Sequence, residues 1–392
     1  MIPRVLGPVA QDLARRMPVV AVTGPRQSGK TTLCRACFPD HQYVSLEPLD
    51  VRDFAVSDPR GFLRQHSGPV VVDEAQRAPA LFSYLQGAVD DDPSPGRFIL
   101  TGSQHFGLSE AISQSLAGRV GLLHLLPFSL DEARAAGLAS DDPWTVVWTG
   151  GYPRIHDQRL PASEWLASYT ATYVQRDVRQ VLRVTDLDAF TALLRLAAAR
   201  TGQELNLSGL GADVGLTHPT VRSWLSVLET SFVVFRLPPW LHNTRKRLVK
   251  APKLHFVDSG LACHLLGIRD ADQLRLHPLR GALFETWVAS EVLKARLHRG
   301  TTAELYHLRE TRGAEVDLLV DAGSRLLPVE VKSGATVASD ALADLRSFRD
   351  TAAAAMRPRD VAPRLVYAGD DRQQRSAVDV VPWHQIQQVD WT

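Results

Sequence analysis

Cysteine is scarce: three thiols in 392 residues cannot build a disulfide framework. The opening residues lack the charged and apolar pattern of a secretory leader, so a reducing, cytoplasmic setting is expected. No uninterrupted apolar run reaches the ~20 residues needed to cross a bilayer, and no membrane partner is expected. Net charge is nearly absent as well, with 44 Lys and Arg against 43 Asp and Glu. Without a global basic field, any argument for nucleic acid must rest on local patches. Low-complexity tracts are missing, which leaves no segment of disordered composition. What is present is ordinary globular composition, 45% hydrophobic and 22% charged. The length exceeds a single core and suits two to four domains.

The front of the chain carries a phosphate cradle. Pro18 to Thr32 read PVVAVTGPRQSGKTT, in which the apolar run Val19 to Val22 precedes Gly24. Pro25, Arg26, Gln27 and Ser28 then separate Gly24 from Gly29, Lys30 and Thr31, with Thr32 following. This is G-x-x-x-x-G-K-[ST] between an expected strand and an expected helix. The glycines let backbone N–H groups wrap phosphate oxygens at the positive end of the helix. Lys30 supplies a point charge for the outer phosphates, and the Thr31 hydroxyl suits Mg²⁺.

A second element strengthens the first. GPVVVDEAQ, Gly68 to Gln76, reads as a buried parallel strand with Asp73 and Glu74 at its carboxyl end. Open α/β sheets bind ligands at that end. Asp73 is expected in the Mg²⁺ shell, directly or through water, and Glu74 is expected to orient or polarise the attacking water. A third strand, Arg97 to Ser103, ends in Thr101 and Ser103, either of which suits sensing of the terminal phosphate. ATP and Mg²⁺ are the expected cofactors, and nucleotide hydrolysis the expected reaction.

These stretches, together with SLAGRV and LLPFSLDE, resemble the AAA-type P-loop ATPases of bacteria and archaea over roughly Val5 to Glu132. The resemblance implies an arginine that contacts the γ-phosphate from a neighbouring subunit or element. Arg119 is the best match, and Arg26 and Arg77 are weaker ones. Cys34 and Cys37 lack the two further ligands of a zinc site and are expected to pack as small apolar thiols.

Ser129 to about Ala199 has helical periodicity, within which Arg176, Asp177 and Arg179 read as an ion network. Next, two short helices break at Gly215, and Val221, Trp224, Leu225 and Leu228 share one face of the second. FVVFRL then alternates as a wing strand. In this helix-turn-helix pattern Thr217, His218, Thr220, Arg222 and Ser223 point outward. The following NTRKRLVKAPK brings Arg245, Lys246, Arg247, Lys250 and Lys253 together, as phosphate contacts require.

Arg280 to Lys294 forms an amphipathic helix with Glu285 near its start. AEVDLLVD carries Asp317, and after a turn RLLPVEVKSG carries Glu330 and Lys332 on one face of an alternating strand. This order is similar to that of restriction-endonuclease-like folds of the PD-(D/E)xK type. The similarity implies Asp317 and Glu330 as metal ligands, Glu285 completing the shell, and Lys332 positioning the attacking water. Glu315 is a spare carboxylate of the solvated face.

The expected fold is α/β and multidomain. Residues 1–134 read as an AAA-type parallel-sheet core, 135–200 as a helical lid or linker, 201–252 as a winged helix, and 253–392 as an α/β nuclease-like domain. The whole layout resembles a prokaryotic AAA-type family whose C-terminal domain has no assigned function. The expected activity is ATP-driven action on nucleic acid, DNA before RNA, with a nuclease-like domain either active or vestigial. The alternatives are an ATP-dependent switch that binds a partner protein and a nucleotide-gated transcription regulator. Oligomeric state stays open.

Overall fold

The computed structural model describes residues 2–103, 115–173, 186–240, 251–309, 315–355 and 359–392. The expected ion network at Arg176, Asp177 and Arg179, and the basic residues Arg245, Lys246, Arg247 and Lys250, lie outside them. Two compact units form. The first comprises Met1–Phe128 with Thr230–Phe232 and Leu297–Thr301, and the second the remaining segments, Ser129–Glu229, Val233–Arg296 and Thr302–Thr392.

The first unit is built on a five-stranded sheet of β1 (Val19–Gly24), β2 (Gln42–Ser45), β3 (Val70–Asp73), β4 (Phe98–Ser103) and β5 (Val120–His124). Its order is β2-β3-β4-β1-β5 with every pairing parallel. A parallel strand between two helical layers is buried on both faces, which is why β1 and β3 are near-continuous apolar runs. Their residues nonetheless divide with period two. Val19, Ala21, Val70 and Val72 enter one core layer with Phe62, Leu81 and Phe98. Val20, Val22 and Val71 enter the other with Leu6, Leu33, Cys34 and Ile99. Cys34 is thus a core thiol, with Cys37 packed at the margin of the same layer. Helix α1 (Leu6–Ala14) precedes the sheet, and α2 (Lys30–Cys37) begins where β1 turns.

The second unit opens with short helices. Ser129 and Glu132 form a capping box at the start of Leu130–Ala135, fixing where that helix begins. Further on, β6 (Gln203–Glu204), helix Leu207–Val214, helix His218–Thr230, β7 (Val234–Leu237) and β8 (Lys253–Phe256) follow one another. The helices meet at Gly215, whose φ of 69° ends the first in the left-handed region. Val221, Trp224, Leu225 and Leu228 are all buried, as their spacing required. The three strands pair antiparallel in the order β6-β8-β7.

The helix Arg280–Leu297 then leads to β9 (Leu305–Arg309), β10 (Glu315–Ala322), β11 (Arg325–Lys332), β12 (Asp360–Val361), β13 (Arg364–Tyr367), β14 (Gln373–Arg375) and β15 (Val378–Pro382). These seven strands make a mixed sheet, β14-β15-β13-β11-β10-β9, with β12 beside β11. Alternation puts Glu330 and Lys332 on one face of β11, where they meet at 2.6 Å. Leu326 to Glu330 are nonetheless buried without a break, with β10 and β13 paired on either side and Leu326 in one apolar cluster with Trp240 and Phe348. Beyond β13 the terminal segment adds two more strands and buries Trp383 and Trp391.

Candidate functional site

Gly24 closes β1 with φ 152°, and a Cβ there would stand 2.1 Å from the Leu125 carbonyl oxygen, so only glycine fits. Gln27 has φ 63° and Gly29 φ 93°. A left-handed non-glycine residue of this kind is a strain that the surrounding structure has to hold. Part of that support comes from Arg4. Its guanidinium donates to the Ser28 carbonyl at 2.8 Å and the Leu126 carbonyl at 2.7 Å, and lies 4.8 Å from the Phe128 ring centre.

Lys30 is only 7% exposed. Its ammonium donates to the carbonyls of Gly24 (3.1 Å) and Pro25 (2.7 Å), filling the bend itself, and burial draws its pKa down to about 8. Ser28 is fully buried, with no hydrogen-bond partner for its hydroxyl. A buried orphan hydroxyl within the loop fits a phosphate-binding bend. Thr32 is exposed in the first turn of α2, and Arg26 is half-buried.

Asp73, at the carboxyl end of β3, is the hub. Thr31 Oγ1 lies 3.0 and 3.1 Å from its two oxygens, Tyr43 Oη donates to Oδ2 at 2.8 Å, and Thr101 Oγ1 donates to Oδ1. Burial and the bond to Asp73 push the Tyr43 phenol up to about 12. Thr101 therefore orients the carboxylate. Ser103 sits opposite Gly24 across the β1–β4 pairing. Glu74 has φ 56°, accepts from Gln76 Nε2 at 2.6 Å, and lies 3.8 Å from Arg77. Asp73 and Thr31 present hard oxygens at one point, which fits Mg²⁺.

Arg119 is not brought to this site. It precedes β5 at the amino end of the sheet and pairs with Asp90 at 2.6 and 3.0 Å. The loop lies at the opposite end, a strand length or roughly 17 Å away at ~3.3 Å per residue.

A second cluster lies within the C-terminal unit. The structure brings Glu285, Asp317, Glu330 and Lys332 together, from one helix and two adjacent strands. Lys332 Nζ lies 2.6 Å from Glu330 Oε1, and Asp317 Oδ2 accepts the Val331 N–H at 3.0 Å. An unexpected member joins them. Lys253 on β8 is buried, not part of a solvent-facing basic run, and its ammonium lies 3.0 Å from Glu285 Oε1 and 3.6 Å from Asp317 Oδ1. Burial, then the charge of Asp317, raise Glu285 to about 8 and Glu330 to about 7. Among the described residues no group of three or more His, Cys, Asp or Glu side chains is arranged to hold a metal ion. With an ammonium already seated between two carboxylates, the cluster as it stands does not fit Mg²⁺. Glu315 is exposed on β10, 3.9 Å from Arg309.

On the helix His218–Thr230, Thr217 just before it and His218, Arg222 and Ser223 on it are exposed. Thr220 is half-buried and shares a 2.8 Å hydrogen bond with Thr217.

Comparison with known proteins matches the chain in three stretches. Residues 16–134 match a family described as an AAA domain. Residues 140–272 and 280–386 match two domains of unknown function, DUF8612 and DUF4143. Uncharacterized protein Rv2008c of Mycobacterium tuberculosis and uncharacterized protein Mb2031c of Mycobacterium bovis are each 35% identical over 327 residues, covering 82% of this chain and 71% of theirs. The chain belongs to the family of these mycobacterial proteins. This family member carries an AAA-type P-loop domain at its front, followed by a mixed α/β unit. Among solved structures, the Walker-type ATPase PABY2304 of Pyrococcus abyssi is 15% identical, with 68% of this chain and 96% of that one covered, at a TM-score of 0.45. The RuvB Holliday junction branch migration motor of Thermotoga maritima is 20% identical, with 59% and 87% covered, at a TM-score of 0.30. No helix among the described residues is long and apolar enough to cross a membrane.

Three residues of these sites carry no local signal in the sequence. Arg4 lies 24 and 122 residues from its carbonyl partners, Tyr43 lies 30 from Asp73, and Lys253 lies 32 from Glu285.

Proposed function

We propose that the chain binds Mg-ATP between the bend Gly24–Thr31 and Asp73, hydrolyses it, and uses the cycle on nucleic acid. The carrying observation is Asp73, whose carboxylate is held by three hydroxyls, one of them that of Thr31. When bound, Mg²⁺ neutralises charge on the phosphates. The chain's own residues do the rest. Lys30 leaves the Gly24 and Pro25 carbonyls for phosphate oxygens. Tyr43 and Thr101 keep the Asp73 carboxylate from turning, and Glu74, on a left-handed backbone beside it, orients the attacking water. Arg119, far from its own bend, serves the nucleotide of a neighbouring copy.

For the remainder, we read 201–252 as a winged helix and 253–392 as restriction-endonuclease-like. Support comes from two helices meeting at Gly215 above an antiparallel sheet, and from Glu285, Asp317, Glu330 and Lys332 gathered in the second cluster. Thr220 and Arg222, with Arg245, Lys246 and Arg247 beyond β7, supply the nucleic-acid contacts.

Steady-state phosphate release tests the first part. Glu74→Gln is expected to bind ATP normally but turn over about 100-fold more slowly, in line with a lost general base. Lys30→Ala is expected to lose binding. Wild-type turnover in Glu74→Gln, or undiminished ATP affinity in Lys30→Ala, sinks the assignment. For the second part, labelled duplex DNA titrated across a salt series should show binding that weakens steeply as salt rises and falls further in Arg222→Ala. No binding at low salt refutes it.

A further inference from the structure

The C-terminal cluster has an unusual charge inventory. Three carboxylates, Glu285, Asp317 and Glu330, meet two ammoniums, Lys253 and Lys332. Lys332 serves Glu330 from the same strand, two residues on. Lys253 comes from elsewhere, the first residue of β8, and bridges Glu285 and Asp317 at 3.0 and 3.6 Å. Two carboxylates from different elements lean on one buried cation, which is the position a divalent ion takes in a carboxylate site.

Two buried polar atoms of this cluster have no hydrogen-bond partner. Glu330 is 8% exposed, and its Oε2 has no hydrogen-bond partner. His255, two residues beyond Lys253, is 0% exposed. Its Nδ1 meets Thr286 Oγ1 at 3.1 Å, while Nε2 has no hydrogen-bond partner and lies 3.9 Å from Glu285 Oε1. Buried donors and acceptors are rarely left idle unless a ligand is missing or displaced. A carboxylate oxygen and an imidazole nitrogen are both ordinary ligands for a transition-series divalent cation.

We propose that Lys253 is the resident cation of this site: its ammonium holds Glu285 and Asp317 in place of a divalent ion and keeps the folded chain closed to metal there. A divalent ion held at ~2.1 Å from Glu285 would stand within a few ångströms of an ammonium at hydrogen-bond distance from the same oxygen. At such separations like charges repel by several kcal/mol even in a high effective dielectric, so the two cations exclude one another. The inference does not depend on ATP hydrolysis by the N-terminal domain.

The test is Mn²⁺ binding to the full-length protein without nucleotide, with free Mn²⁺ counted by electron paramagnetic resonance. Wild type is expected to show no bound Mn²⁺ that Asp317→Asn removes. Lys253→Gln and Lys253→Met, each checked for native circular dichroism and melting, should gain one Mn²⁺ per chain. That ion should bind at least about 100-fold more tightly than any at this site in wild type, as loss of one adjacent positive charge requires. Adding Asp317→Asn to either variant should abolish the gain, whereas Lys253→Arg should gain nothing. Wild-type Mn²⁺ binding that Asp317→Asn abolishes overturns the proposal. So does the absence of any gain in a folded Lys253 variant. If neither variant folds, the wild-type titration alone decides.

Discussion

Replacing Arg4 with alanine is a severe test of how the nucleotide bend is held. Arg4 is buried, donates to two carbonyls at 2.8 and 2.7 Å, and covers the Phe128 ring. Hydrogen bonds from a charged donor are worth roughly 1.5–3 kcal/mol each, and a desolvated cation–π contact about 1–2. Summing these and allowing about 1.5–2 kcal/mol for the rotamer entropy regained leaves a loss of about 2–6 kcal/mol. Against a total of ~5–15 kcal/mol for a domain, that is a large fraction. Differential scanning calorimetry should show the transition of the N-terminal domain falling by about 10 °C or more. The C-terminal transition should stay in place. Amide exchange at Ser28 and Gly29 should accelerate, because the carbonyl brace of the bend is gone. Arg4→Lys should recover part of the loss, since one ammonium reaches one carbonyl but lacks the fork for both. A melting curve for Arg4→Ala within 2 °C of wild type would refute this account of the bend.

Other perturbations give equally direct readings. Gly24→Ala sets a methyl group against the Leu125 carbonyl and should cost at least about 2 kcal/mol, seen as a lowered thermal midpoint together with lost nucleotide binding. Tyr43→Phe removes one of three hydroxyls on Asp73 and should cost about 1 kcal/mol while changing Mg-ATP affinity only severalfold, as isothermal titration would show. His307 is 2% exposed, and burial holds its imidazole down at about 4 against an ordinary 6.5. Between those values the unfolded chain binds the extra proton, so the stability is full above pH ~6.5 and declines by ~1.4 kcal/mol per unit as acid is added. Denaturation of His307→Asn at several pH values should show a slope shallower by that amount. An unchanged slope contradicts the assignment.

How much of this was legible beforehand depended on sequence distance. The bend and α2 follow from one contiguous motif, and Asp73 from an apolar run ending in acid. The buried face of the helix His218–Thr230 was readable because Val221, Trp224, Leu225 and Leu228 repeat within two turns. Thr31 and Asp73 were both readable as ligands of one Mg²⁺, but the Tyr43 and Thr101 hydroxyls on Asp73 were not, since they come from separate strands that only the sheet order aligns. Lys253 misled for a related reason. Adjacent basic residues look like one patch, yet a strand register turned this one toward carboxylates 32 and 64 residues away. On β11, period-two patterning held for Glu330 and Lys332, which share a face, but gave no sign that Glu330 is buried. Glu330 is polar for reasons of the cluster it joins. The strand Gln373–Arg375 carries no apolar residue at all and exists only through its pairing with β15.

The return of the chain to its first folding unit at Thr230–Phe232 and Leu297–Thr301 has a practical outcome for dissection. The Leu126 amide is met by the ring of His298, 172 residues downstream, and Gly300 packs against Val9. A fragment ending soon after Phe128 would lose the imidazole that accepts from that amide and the Gly300 backbone that covers Val9. Proteolytic trimming is therefore expected to yield an aggregating N-terminal piece, and the nucleotide chemistry is best pursued on the uncut polypeptide.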